Sequence, residues 1–238
     1  ALILMGNVQL AKNNIDEAQK SFQSAITQQQ KDPAGYIALA QLYGRQKKTN
    51  EALQIVEAGL HQVPNNFDLL LGKAGLLEFK GEYDATIALY ESMLKDQPGS
   101  MLIVNNLASL LADHRTDKES LARAASLAAV LKDSPVPQFK DTVGWVTYLQ
   151  GDNPSALSLL EDAAAKMPNS PDVQYHLGMS YLAAGQDANA SEKFKKAMEA
   201  LDGTFIGLNN TTKNYNRTVN DSSTNIKKLD QSITNNSK

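Results

Sequence analysis

The stretch GWVTYLQGDNPSALSLLEDAAAKMPNSPDVQYHL, residues 144–177, is followed directly by GMSYLAAGQDANASEKFKKAMEAL, residues 178–201. The second reads as the first displaced by 34 residues. Gly144 returns as Gly178, Gly151 as Gly185, Ala156 as Ala190, Leu160 as Phe194 and Ala163 as Ala197. Small and large residues reappear in the same slots, and a fixed period of this length marks an array of helical repeats.

The period extends to the beginning of the chain. A small residue recurs at Gly6, Ala40, Ala74, Ala108, Gly144 and Gly178, usually after a large apolar one. This predicts the first helix, A, of each unit, with the small residue where helix B approaches. Helix B repeats Ala18, Ala52, Thr86, Ala122, Ala156 and Ala190, and four residues on Phe22, Val56, Tyr90, Ser126, Leu160 and Phe194. Three further on come Ala25, Gly59, Met93, Ala129, Ala163 and Ala197. Apolar residues at i, i+4 and i+7 describe one buried helix face.

Pro-containing turns close the repeats: Asp32-Pro33, Pro64-Asn65-Asn66, Pro98-Gly99-Ser100, Ser134-Pro135 and Pro168-Asn169-Ser170-Pro171. Proline ends one helix and suits the first turn of the next, while Asn, Ser or Asp caps it. Repeat 1 reads as gaining three residues before Pro33. Repeat 4 reads as gaining two between His114 and Glu119.

Composition narrows the function. The chain has 238 residues, 42% hydrophobic and 21% charged, enough for a sizeable core. A net charge of −3 offers no electrostatic case for nucleic acid. There is no cysteine, so disulfides, thiol catalysis and thiolate metal sites are out. The chain opens at Ala1 already inside a helical pattern, which points to a fragment of a longer protein. His61, His114 and His176 lie in three different repeats without H-x-x-x-H or E-x-x-H spacing. They are expected to be solvated or capping, and no metal or cofactor is expected. Asp113-His114 is expected in a loop with no third group and no serine elbow, hence no catalytic role.

The large-Leu-Gly-x-x-Tyr pattern of helix A and the Ala-Phe-Ala pattern of helix B resemble the tetratricopeptide repeat family. Repeat 2 carries Tyr36, Leu39-Ala40, Tyr43, Ala52, Val56, Gly59 and Pro64; repeat 6 carries Leu177-Gly178, Tyr181, Ala190, Phe194 and Ala197. The resemblance implies an all-α, right-handed superhelix (an α-solenoid) of about six helix-turn-helix repeats. Their boundaries fall near 1–32, 33–66, 67–100, 101–136, 137–170 and 171–202. It also implies a non-catalytic scaffold that binds a peptide or a partner's helix in a groove lined by A helices. The run Asn105-Asn106-Leu107-Ala108, Asp141-Thr142-Val143-Gly144-Trp145 and Gln174-Tyr175-His176-Leu177-Gly178 resembles the C-terminal repeats of bacterial lipoproteins of the PEP-CTERM/exosortase system. That implies a cell-envelope, exopolysaccharide-assembly setting at the periplasm or outer-membrane periphery. The residues themselves leave the cytoplasm open.

Counting from the small position, the groove-facing candidates in the C-terminal half are Asn105, Ser109, Asp141, Trp145, Tyr148, Tyr175 and Met179. Trp and Tyr bury much area with few rotors to freeze and are enriched at binding hot spots. For Trp145, the sole Trp, wedging between A helices is the competing reading. Groove binding of a C-terminal carboxylate through Lys and Asn is not expected, since Asn7 fits one slot but the basic residues are missing.

The segment 203–238 differs: rich in Asn, Thr and Ser, without Ala, and +3 in formal charge against −6 for residues 1–202. A capping or coiled-coil helix, a disordered tail and a segment of foreign origin all fit it. Two other functional readings stand beside the scaffold. One is a regulatory or targeting domain of a larger enzyme; the other is a self-associating structural protein whose tail fills a groove.

Overall fold

The computed structural model describes residues 1–203, so the readings offered for the tail fall outside it. Among the described residues there are twelve α-helices and no strand. They alternate as A and B: α1 (Leu2–Ala11), α2 (Ile15–Gln28), α3 (Pro33–Arg45), α4 (Thr49–Gln62), α5 (Phe67–Phe79) and α6 (Tyr83–Asp96) come first. Then follow α7 (Met101–His114), α8 (Lys118–Leu131), α9 (Pro137–Leu149), α10 (Asn153–Lys166), α11 (Pro171–Ala183) and α12 (Asp187–Gly203). The all-α helical-repeat fold expected from the period is the fold found.

Every A helix meets its B helix through a three-residue turn. In five of the six turns the middle residue has positive φ: Asn13 (61°), Lys47 (60°), Gly81 (77°), Gly151 (90°) and Gly185 (70°). The N–H of the next residue then reaches back to the helix, as from Glu82 to Leu77 O (2.9 Å) and from Gln186 to Tyr181 O (2.9 Å). This left-handed reversal satisfies carbonyls that the helix end would otherwise leave bare. Between repeats, side chains cap the next helix: Asp32 accepts from Ala34 N (3.0 Å) and Asn66 from Leu69 N (3.1 Å).

Two compact units divide the chain, with the boundary inside α6 between Leu89 and Tyr90. In the first, Ala18 and Phe22 of α2 pack with Leu39 and Leu42 of α3. Tyr36 and Ala40 of α3 pack with Ala52 and Val56 of α4 and Leu69 of α5. In the second, Leu160, Ala163 and Ala164 of α10 pack with Val173 and Leu177 of α11. Side chains such as Phe22 and Leu160 are fully buried, each contributing about 1.5–3 kcal/mol on leaving water.

Repeat 4 corrects the expected register. The buried face of α8 is Ala124, Leu127, Ala128 and Leu131, whereas Ala122, Ser126 and Ala129 are exposed. The two added residues are not in the α7–α8 turn, which has the usual three. One lengthens α7 to 14 residues against 13 for α9 and α11; the other lengthens the α8–α9 connection to five residues. Repeat 1 also carries no insertion before Pro33. The α2–α3 connection has four residues, like α4–α5. Pro33 simply stands at the first position of its helix, as Pro137 and Pro171 do, whereas Pro64 lies within the connection.

Candidate functional site

The A helices of the second unit, α7, α9 and α11, converge on one buried ionic group. Helical spacing aligns Asn105, Ser109 and Asp113 along α7 and Asp141 and Trp145 along α9, because residues four apart share a face. On α11, Asp172, Tyr175, His176 and Met179 follow a first turn set by Pro171.

His176 is the hub. It is only 6% exposed, and Asp141 beside it 8%. Its Nδ1 lies 3.1 Å from both Oδ1 and Oδ2 of Asp141. Its Nε2 lies 3.8 Å from Asp113 Oδ1, and Ser109 Oγ donates to Asp113 Oδ2 at 3.1 Å. Burial alone would push the imidazole's pKa down. The charge of Asp141, the hydrogen bonds of Asp113 and Asp141 and the charge of Asp113 outweigh it, and the pKa is pushed up to about 10. The ring is therefore an imidazolium at neutral pH, with both nitrogens donating and no lone pair to act as a base. Asp172 stands at the rim with its carboxyl pKa raised. Crowding by protein is the main cause, His176 opposes it, and the charges of Asp113 and Asp141 add to it.

Aromatic rings sheathe the cation. Trp145 stacks on His176 with centroids 4.3 Å apart and planes 12° apart. It also stacks on Tyr148 at 5.0 Å and meets Tyr175 edge-on at 6.0 Å. Tyr175 in turn packs on Phe194 of α12 at 5.9 Å. An indole face against a desolvated cation is worth about 2 kcal/mol. Indole Nε1 is buried without an acceptor among the described residues.

Of the sequence candidates, Asp141, Trp145, Tyr148 and Tyr175 come together around His176, and Ser109 joins through Asp113. Asn105 bonds its neighbour Asn106 instead (3.3 Å), and Met179 is half-buried on α11. Asp141, Trp145 and Tyr175 are buried. Two expectations fail. His176 is neither solvated nor capping, and Asp113-His114 ends helix α7 rather than lying in a loop, with His176 as the third group. The available signal was three carboxylates and a histidine on consecutive A helices whose only lysine, Lys140, has its ammonium 2.6 Å from Asp162 of α10. His114, whose pKa is lowered chiefly by burial, adds no charge at neutral pH. Around His176, the three carboxylates Asp113, Asp141 and Asp172 outnumber the one imidazolium. Among the described residues no group of three or more His, Asp or Glu is arranged to hold a metal ion, and no helix is long and apolar enough to cross a membrane.

Models of the tetratricopeptide repeat family match residues 3–67 and 37–101, and a further such model matches residues 148–203, together more than half of the chain. The "TPR repeat-containing protein PA4667" of Pseudomonas aeruginosa is 27% identical over 173 residues, 72% of this chain but 29% of that protein. Among solved structures, a tetratricopeptide repeat protein from Parabacteroides merdae superimposes with a TM-score of 0.65 at 17% identity. The match covers 84% of this chain and 78% of that one. YrrB, described as a TPR protein with an unusual peptide-binding site, gives 0.51 at 18% identity, over 78% of this chain and 94% of YrrB. At these identities the structural matches speak for the fold.

Proposed function

The chain belongs to the tetratricopeptide repeat family, a family of protein-interaction scaffolds, and on that footing we propose that it binds a positively charged peptide segment of a partner protein on the face of α7, α9 and α11. The observation that carries this is the charge of that face. Asp113 and Asp172 stand at its rim, Asp141 and His176 neutralise each other beneath, and the one lysine on these helices is turned to α10. A Lys or Arg side chain arriving at Asp113 and Asp172 would find carboxylates in a partly desolvated setting, with Tyr148 and Met179 half-buried nearby for its aliphatic stem. Interactions of this kind set specificity and encounter rate more than bulk affinity.

The resemblance to exosortase-system lipoproteins supports placing this scaffold in a bacterial cell-envelope assembly. The chain spans 29% of the Pseudomonas relative, so the activity and partners of the whole protein are part of the proposal.

The test uses Trp145 as reporter. A Lys/Ala peptide of about ten residues should change its emission saturably, a Glu/Ala peptide should not, and Asp113→Asn with Asp172→Asn should weaken binding at least ten-fold. Equal binding of both peptides, or no effect of the double variant, would refute the reading.

A further inference from the structure

Four residues before the small residue of helix A stand Tyr36 in repeat 2, Lys140 in repeat 5 and Gln174 in repeat 6. In repeat 2 this slot is full. Tyr36 is buried, its ring so near α4 that a Cβ on Gly59 would stand 2.9 Å from it, and Ile26 of α2 packs on the same cluster. In repeat 5 the ammonium of Lys140 reaches Asp162 of α10 at 2.6 Å.

Repeat 6 leaves the slot open. Gln174 stands in the place of Tyr36, and Ala164 of α10 in the place of Ile26. With a ring and a branched aliphatic side chain both missing, a cleft of about 800 Å³ opens between two B helices. Glu161 and Ala164 of α10 line one side, Lys196 of α12 the other, and Gln174 and Leu177 of α11 the floor. Gln174 is 3% exposed, and its Oε1 has no hydrogen-bond partner among the described residues. A buried amide oxygen calls for a donor.

The charges around the cleft already have partners. Glu161 accepts from Tyr181 OH at 2.7 Å, Lys193 and Lys196 both bind Glu192 (3.3 and 2.8 Å), and Glu199 lies 3.7 Å from Lys195. An ionic ligand would gain little here. A purely aliphatic one would leave the amide oxygen bare, at the full cost of a buried polar group without a bond. What fits is a neutral aromatic ring that carries a donor, and repeat 2 fills the same slot with a tyrosine.

We propose that the cleft between α10 and α12 is a docking site for a tyrosine side chain of a partner protein. The ring lies on Ala164 and Leu177, and the phenol O–H donates to Gln174 Oε1. The cleft is larger than one ring, which leaves room for the partner's main chain on either side. An incoming tyrosine thus restores between α10 and α12 the packing that Tyr36 supplies between α2 and α4. This proposal does not depend on what binds the α7–α9–α11 face.

The test titrates the full chain with N-acetyl-tyrosinamide and follows the methyl resonances of Ala164 and Leu177. Both should shift saturably below about 20 mM, the range a single side chain can reach. N-acetyl-phenylalaninamide, which lacks the hydroxyl, should bind at least five-fold more weakly. In Gln174→Met, of similar length but without the acceptor, the two amides should bind alike. Gln174→Tyr, which fills the slot as repeat 2 does, should bind neither. The comparison of the two amides on the wild-type chain decides the matter even if a variant folds poorly. Absence of saturable shifts at Ala164 and Leu177, equal affinity of the two amides for the wild-type chain, or a tyrosine preference that survives Gln174→Met would each overturn the proposal.

Discussion

Raising the pH should loosen the second unit through one residue, and the size of the effect follows from His176. Its folded pKa of about 10 lies above the ordinary 6.5, with Asp141 and Asp113 on its two nitrogens and Asp172 nearby. A group raised on folding contributes fully below its unfolded pKa and loses that contribution as pH climbs to the folded one. The window is therefore pH 6.5 to 10. At about 1.4 kcal/mol per pKa unit the whole contribution is about 5 kcal/mol, of which about 3 should be gone by pH 9. The assay is urea unfolding at pH 6, 7.5 and 9, followed through the emission of Trp145, which stacks on the titrating ring. The midpoint should fall steadily across this range in the wild-type chain. His176→Gln should be less stable at pH 6 and should show a much flatter profile. A wild-type midpoint that stays level to pH 9, or an equal slope in His176→Gln, would refute the assignment of an imidazolium.

Asp141→Asn leaves the buried imidazolium without its closest counter-charge and should cost about 3–5 kcal/mol, read as a lower urea midpoint at pH 7. In Gly178→Ala, a Cβ would stand 2.6 Å from the ring of Phe194, on which Tyr175 packs; the forced shift should cost about 1–3 kcal/mol and alter near-ultraviolet circular dichroism. Gly44→Ala, where nothing lies within 4 Å, should instead raise stability by up to about 1 kcal/mol in the same measurement. Gly185→Ala, at φ +70°, should lower the thermal midpoint by the equivalent of about 1–2 kcal/mol.

The fold was legible because a solenoid repeats its local instructions: each unit states its own small residue, turn and cap, so errors in one do not spread. Repeat 4 shows the limit. In α8 the run Leu121–Leu131 holds alanines on several faces, so spacing alone could not choose between Ala122 and Ala124. Size settled it: Leu127 and Leu131 align with Ala124, and their burial outweighs that of any alanine. Pro33 misled for a related reason, since proline fits both a connection and a helix's first turn.

The site was half legible, and the missing half is its charge. A period-34 reading treats each side chain through its slot in its own repeat. The ion pairs of His176 instead cross 35 residues to Asp141 and 63 to Asp113, and no slot encodes a partner. What the period did mark, Trp145 and Tyr175, turns out to be wrapped around that cation, both nine-tenths buried or more. Their burial changes how recognition can work here. Aromatic residues that hold an imidazolium in place cannot also offer their faces freely to a ligand, so on this reading they act at one remove. They fix where positive charge is spent internally, and thereby leave Asp113 and Asp172 as the carboxylates a partner meets first. Exchanging Trp145 for Phe tests that division of labour. Phe keeps an aromatic face over His176 while giving up the Nε1–H, which has no acceptor among the described residues. Binding of a basic peptide, followed by calorimetry, should therefore change less than three-fold, whereas Asp113→Asn with Asp172→Asn should weaken it ten-fold or more. A larger loss from Trp145→Phe than from the paired Asp changes would return Trp145 to the role of direct contact.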